Sequence, residues 1–291
     1  MLTFRSHSIC FYAAAVVLGT LLPIGGIDVL AKTRNTQSQS SQNSLTPLQW
    51  EIEKQRTRLG SGDVEERRDA IMQLGSMHHP EAARLAASAL RDPVAIVRAT
   101  AAASILSLPA EESAPNLIPL LSDKDEFVRR EAAYALGKTG SASASSALIE
   151  RLLTDKKDEV RGAAAVALGQ IKDAAAISSL SSVLDAQLAV KSSKKKEKRK
   201  KEQDVFVLRA AARSLGQIGS SAALPALVRV LQDEKAETDV RREAASALGL
   251  IGDPAAIPAL QGALTASDPY LVEAANNAIR NISRSRAATV R

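Results

Sequence analysis

The sequence predicts an all-α solenoid of about seven helix pairs, and three observations carry that reading. The first is repetition. The stretch VRREAAYALGKTG (residues 128–140) returns in variant form along most of the 291 residues. Aligned on its Leu-Gly pair, the copies end at Gly75, Leu106, Gly137, Gly169, Gly216, Gly249 and Arg280, spaced 31, 31, 32, 47, 33 and 31 residues apart. A fixed period of this length with one outlier means stacked supersecondary units, each contacting its neighbours alone. The second is periodicity: in VRREAAYAL and VRREAASAL apolar residues fall at i, i+4, i+5 and i+8, one face of an amphipathic helix. The third is composition. Ala dominates and aromatics make up 3% of the chain, which suits thin layers of closely approaching helices.

Each unit is read as two helices. A helical run precedes each later copy: EAARLAASAL, APNLIPLL, SSALIERLL, ISSLSSVL, LPALVRVL and IPALQGAL. Gly140, Gly219 and Gly252 stand three residues after the Leu-Gly pair, where a helix ending in the left-handed conformation wants Gly. Asp253 and Pro254 then supply an N-cap and a first-turn Pro.

These residues resemble the HEAT repeat, in its short phycobilisome-lyase-like variety, whose consensus runs roughly D-x-x-V-R-x-x-A-A-x-A-L-G-x-I-G-D. The likeness covers about residues 63–283 and implies a right-handed, armadillo-type superhelix. Asp92 and Arg98, Asp123 and Arg129, and Asp155 and Arg161 are each six apart, across the turn between paired helices. The resemblance implies that they form a hydrogen-bonded ladder between neighbouring repeats, and a bidentate guanidinium would fix the stacking angle. Leu208 and Val272 replace the Arg in the fifth and seventh units, so the ladder is expected to break there. The fold is a scaffold used for many purposes and carries little function by itself.

Residues 1–31 differ from everything after them. Arg5 precedes an almost wholly apolar stretch, then Pro23, Gly25 and Gly26, and Val29-Leu30-Ala31 offers a cleavage site. That is the layout of a secretory signal peptide cleaved after Ala31, giving a periplasmic or secreted protein. The rival readings are an uncleaved membrane anchor and a buried helix. Cys10 is the single cysteine, so cleavage would leave a chain without thiols, compatible with an oxidising compartment. Residues 32–46 are polar and aperiodic and read as a flexible linker. The solenoid is expected over 47–283 and a short tail over 284–291. A helix starting at Thr46-Pro47 completes the first pair. It carries Trp50, either a capping aromatic packed on the first repeat or a ligand-stacking side chain.

The 47-residue spacing implies an insert in the fifth unit, visible at residues 186–204. Residues 191–202 hold eight basic and two acidic side chains, a net of +6, equal to the charge of the whole chain. The basic balance therefore belongs to one loop, expected to be a disordered or frayed helical protrusion. Lys194, Lys195, Lys196, Lys198, Arg199, Lys200 and Lys201 could dock on anionic polymer, lipid headgroups or an acidic partner. They could equally form a solvated loop with no dedicated ligand. No aromatics interleave them, so nucleic acid is not the expected ligand.

The inner face of such a solenoid is lined by the second helix of each pair. Arg130, Tyr134 and Lys138 form a stripe there in the third unit, and Arg68, Arg209, Arg213 and Arg242 hold equivalent places elsewhere. Ala99, Ala103, Gly162 and Val166 interrupt the stripe, so it reads either as a partner groove or as a solvated face.

The inventory contains no catalytic constellation. Beyond His7, the histidines are the adjacent pair His78 and His79 in a turn, where His tolerates the left-handed conformation and a metal would lack further ligands. Deoxyhypusine hydroxylase is similar in repeat pattern but depends on His-Glu pairs for its di-iron site, and this sequence has no His-Glu dipeptide. Phycobilin lyases share the repeat, but they act on cytosolic pigment proteins, which fits poorly with an export signal. No phosphate loop, Ser-His-Asp candidate or zinc pattern appears. The expectation is a monomeric, exported protein-interaction scaffold, without cofactor or catalysis, that takes a protein partner on its inner face. The alternatives are a docking module for anionic polymer or lipid through the insert and, behind it, an enzyme related to the phycobilin lyases or deoxyhypusine hydroxylase.

Overall fold

In a computed structural model the described residues are 45–189 and 198–289, with side chains described except at 187–189, 198–204 and 286–289. The expected signal peptide, nearly all of the linker and residues 190–197 of the Lys-rich insert therefore lie outside the described residues. The chain divides into two units, Met1–Trp50 and Glu51–Arg291.

Of the first unit, residues 45–50 are described and open helix α1 (Pro47–Leu59). Thr46 and Gln49 form a reciprocal capping box: the Thr46 amide donates to Gln49 Oε1 at 3.1 Å and the Gln49 amide to Thr46 Oγ1 at 3.3 Å. Trp50 is 56% exposed.

The second unit alternates first and second helices. After the end of α1 come α2 (Val64–Ser76), α3 (Pro80–Ala87), α4 (Ala95–Ser104), α5 (Ala110–Leu117), α6 (Glu126–Thr139) and α7 (Ser145–Thr154). Then follow α8 (Asp158–Ile171), α9 (Ile177–Ala189), α10 (Lys198–Ile218), α11 (Leu224–Gln232), α12 (Thr238–Ile251), α13 (Ile257–Ala263) and α14 (Pro269–Thr289). The described residues hold no strand. The even-numbered helices stack in sequence order and make the most extensive packing in the unit, an all-α solenoid. Two boundaries differ from expectation. Helix α14 runs through the supposed tail to Thr289, and α10 starts at Lys198, inside the insert.

Caps follow local chemistry. Gly140, Gly219 and Gly252 end their helices at φ 67°, 75° and 77°, and His78 and Lys172 do the same at 49° and 60°. Asp63, Asp125, Asp173 and Asp253 each accept a hydrogen bond from the backbone amide two residues on. His79 Nδ1 does so from Glu81 N at 3.2 Å, and His78 Nδ1 lies 2.8 Å from the Ser76 carbonyl oxygen. Both histidines are thus helix-end residues.

The Leu-Gly glycines have a different duty from capping. They lie inside the second helices, where the next second helix crosses. A Cβ on Gly137, Gly216 or Gly249 would stand 2.7 Å from the Cα of Ala167, Ala247 or Ala278, and one on Gly169 would meet Ser214 Oγ at 2.5 Å. Just beneath, Ala70, Ala101, Ala132, Ala164, Ala211, Ala244 and Ala275 occupy one register position and are all fully buried. Small residues at these points allow the backbones to touch. The second unit has Leu106 in the Gly place, and its helix α4 ends at Ser104, one turn short of α6.

The Asp-Arg ladder is present, with a register the sequence did not show. Each Arg reaches forward to the next unit: Arg67 to Asp92, Arg98 to Asp123 and Arg129 to Asp155, all bidentate at 2.7–3.0 Å. The six-apart contact is instead from a guanidinium to a main-chain carbonyl, Arg98 to Asp92 O and Arg129 to Asp123 O. Arg67 was not foreseen as the first rung. Arg161, placed in the ladder by its spacing, pairs with Asp158 at 3.3 Å, and its counterpart position in the fifth unit is Glu202, whose side chain is outside the described residues. Leu208 carries no rung, as expected. Arg241 carries none either, because the acceptor place in the seventh unit is Ala266, and it donates to Leu231 O. Burial pushes the Asp92, Asp123 and Asp155 carboxyls up, but the Arg hydrogen bonds, a backbone amide and the nearby positive charges outweigh it. All three titrate below the usual Asp value.

Two measurements check this architecture. Gly216→Ala and Gly249→Ala should each cost about 2–3 kcal/mol in chemical unfolding, from backbone overpacking. Gly62→Ala, with nothing within 4 Å of the new Cβ, should stay within about 0.5 kcal/mol. Because the ladder carboxyls have depressed folded pKa values, their stabilisation is complete at neutral pH and is lost as the pH falls below about 4. Asp123→Ala, which strands the part-buried Arg98, should cost about 3 kcal/mol at pH 7 and flatten the acid limb of the stability–pH profile.

Candidate functional site: the second-helix face

Stacking aligns three rows of side chains on the open face of the second helices, because residues seven and three before the Leu-Gly place, and one after it, share a helix side. The first row reads Arg68, Ala99, Arg130, Gly162, Arg209, Arg242 and Glu273. The second reads Met72, Ala103, Tyr134, Val166, Arg213, Ser246 and Asn277. All seven predicted groove residues therefore share this face, with Lys138 exposed in the third row.

Their charges are largely spent on one another's units. Arg213 makes a bidentate pair with Glu243 at 2.8 and 2.9 Å. Arg242 holds Asp268 at 2.6 and 2.8 Å, Asp239 at 2.8 Å, and lies 5.0 Å over the Tyr270 ring. Arg209 approaches Asp239 at 3.9 Å. Arg130 binds Glu131 and sits 4.8 Å over the Phe127 ring, and Arg68 binds Glu65 at 3.0 Å. Burial pushes the Tyr134 phenol up. Arg209, Arg213 and Arg242 thus brace one unit against the next, and Arg68 and Arg130 pair within their own. The acids responsible lie about one period downstream, and that spacing was the available signal.

The interruption at Ala99 and Ala103 proves to be a recess in the face. There the small residues of α4 form the floor of a depression of about 400 Å³. Arg68 and Met72 wall it from α2, and Phe127 and Glu131 from α6. Met72 is 50% exposed, and the Arg68 Nε is buried without a hydrogen-bond partner. Gly162, the other interruption, is covered by the Phe206 ring, whose atoms a Cβ there would meet at 2.0 Å. A second depression of about 440 Å³ lies between α12 and α14 beside Leu250, Tyr270 and Asn277. Sequence reasoning missed these apolar walls, since a lone Met or Phe carries no spacing signal.

Of the candidate anionic-ligand loop, Lys194, Lys195 and Lys196 lie outside the described residues. Lys198, Arg199, Lys200 and Lys201 lie on the first turn of α10, with their side chains outside. Among the described residues no group of three or more His, Cys, Asp or Glu gathers to hold a metal. Among the same residues no helix is long and apolar enough to cross a membrane.

Comparison with known proteins follows from this geometry. No curated protein matches the chain. Among solved structures it is similar to YibA of Escherichia coli, with 18% identity over 92% of this chain and 100% of that one at a TM-score of 0.53, a likeness of fold. It also aligns with the CpcE–CpcF complex of phycocyanin lyase from Nostoc sp. PCC7120, at 24% identity, 82% and 95% coverage and a TM-score of 0.47. Human deoxyhypusine hydroxylase aligns at 20% identity, 80% and 96% coverage and a TM-score of 0.38. The family model of HEAT repeats matches residues 88–169, 117–192 and 198–282. Matched over more than half of its length, the chain belongs to the HEAT-repeat family.

Proposed function

We propose that this chain is an exported, non-catalytic scaffold that binds a protein partner on the second-helix face. The observation that carries the proposal is the depression on α4, an apolar floor between large walls from two neighbouring units. Stacked repeats present such a face as one continuous surface, and exposed Met and aromatic side chains around a recess are the makings of an interaction anchor. Export rests on the layout of residues 1–31.

A second reading is docking on an anionic surface through the Lys-rich insert. It is favoured by the start of α10 at Lys198, which puts four consecutive basic residues on a helix continuous with the fifth second helix. Ionic strength separates the two readings, because contacts made by a dense cationic stretch weaken steeply with salt.

The test is affinity capture from the native cell envelope with the C-terminally tagged chain. The partner should be retained when residues 186–204 are deleted and lost on Met72→Glu, with a shallow dependence on salt. Loss on deletion with retention by Met72→Glu would transfer the function to the insert. The tagged chain should begin at Lys32 on N-terminal sequencing; a start at Met1 in the membrane fraction would replace export with anchoring.

A further inference from the structure

Resting on the scaffold reading, we infer that the depression between α2 and α6 seats one amphipathic α-helix of the partner, with apolar side chains against α4 and a carboxylate against Arg68. Width admits a helix. Packed helices stand about 9 Å apart, so the axes of α2 and α6 are about 18 Å apart across α4. A helix resting on α4 at the same spacing stands about 13 Å from each of those axes, within reach of the long side chains Met72 and Phe127 on the two walls.

Depth and length agree. Ala99 and Ala103 bring the floor down to the backbone of α4, so an incoming helix approaches as closely as the second helices approach one another. The lining runs along α4 from Ile96 to Ser104, about 12 Å or two helical turns. That length matches apolar residues at i, i+4 and i+7 of a bound helix. Met72, half exposed on the wall, adapts its unbranched side chain to such an irregular guest.

Charge sets the remaining requirement. On the α6 wall, Glu131 is committed to Arg130, which is itself stacked on Phe127. On the α2 wall, Arg68 holds Glu65 through Nη1 and leaves Nε buried without a hydrogen-bond partner. Arg213 and Arg242, elsewhere on the face, are each saturated by a bidentate carboxylate. A partner Asp or Glu that draws the Arg68 guanidinium outward would give Nε its missing acceptor. The recess between α12 and α14 has a wall on two helices alone and an Arg already satisfied, so it offers neither the channel nor the charge.

The probes are two display libraries of matched composition, one of amphipathic helices on a rigid helical hairpin and one of flexible linear peptides, selected on the full-length chain. The helical library should yield binders whose affinity falls at least roughly tenfold on Met72→Glu and on Ala103→Arg, and is unmoved by Leu250→Ala. Arg68→Gln should cost the carboxylate-bearing binders roughly tenfold, with part restored by Arg68→Lys. Met72 and Ala103 are both exposed, and thermal unfolding of each variant checks that the fold survives; if Ala103→Arg unfolds, Met72→Glu carries the test. Enrichment of flexible peptides alone, lost on Met72→Glu, would overturn the helix seat and leave the scaffold standing. Binders that ignore every second-helix-face substitution would overturn both.

Discussion

The contact on which the rest of this structure depends is the touch between a Leu-Gly glycine of one second helix and a small residue of the next. At Gly137, Gly216 and Gly249 the Cα of the neighbouring Ala stands where a Cβ would go, so two helix backbones meet with nothing between them. Dispersion and apolar burial are densest where backbones are nearest. The row of fully buried Ala beneath these points shows that the whole stack keeps that distance. Because each contact fixes one helix against the next at the same register, equivalent side chains of successive second helices come to lie in rows across the solenoid. The open face is a consequence of the packing on the closed one.

Electrostatics brace this stack differently in its two halves. In the first three units the arginines at the turn edge reach forward to the Asp of the next unit, and their hydrogen bonds hold the carboxyls low against the opposing effect of burial. In the fifth and sixth units Leu208 and Arg241 carry no rung, and the braces lie on the second-helix face, from Arg213 to Glu243 and from Arg242 to Asp268. The insert lies at the junction. The shift has a functional side. Where the face itself supplies the braces, its cations are neutralised, and the recess beside Leu250 and Tyr270 has an Arg already paired. Where the turn edge supplies them, the face is free to be shaped by side-chain size, and the depression over α4 is found there.

How much of this was legible depended on whether the signal was local. The helix pairs, the left-handed caps at Gly140, Gly219 and Gly252, and the capping of α1 by Thr46 all follow from short-range rules, and a repeating period writes them seven times. Partnership was different. Arg98 has Asp92 six residues away and Asp123 twenty-five away; proximity in sequence suggested the first as its carboxylate partner, and stacking chose the second. Arg213 and Arg242 likewise take their acids from the following unit, a pairing that spacing within one helix does not show.

What the amino-acid sequence determined by itself was the architecture: a periodic placement of Ala, Leu and Gly that leaves a stack of helix pairs as the way to bury each apolar stripe. What the tertiary structure alone decided was the character of the exposed face. Ala99 and Ala103 look like gaps in a stripe when read along one helix. They become a floor once Met72 from the unit before and Phe127 from the unit after stand on either side. A recess is a relation among three helices, set by the height of each side chain above a common packing plane, and that plane exists after the helices have stacked.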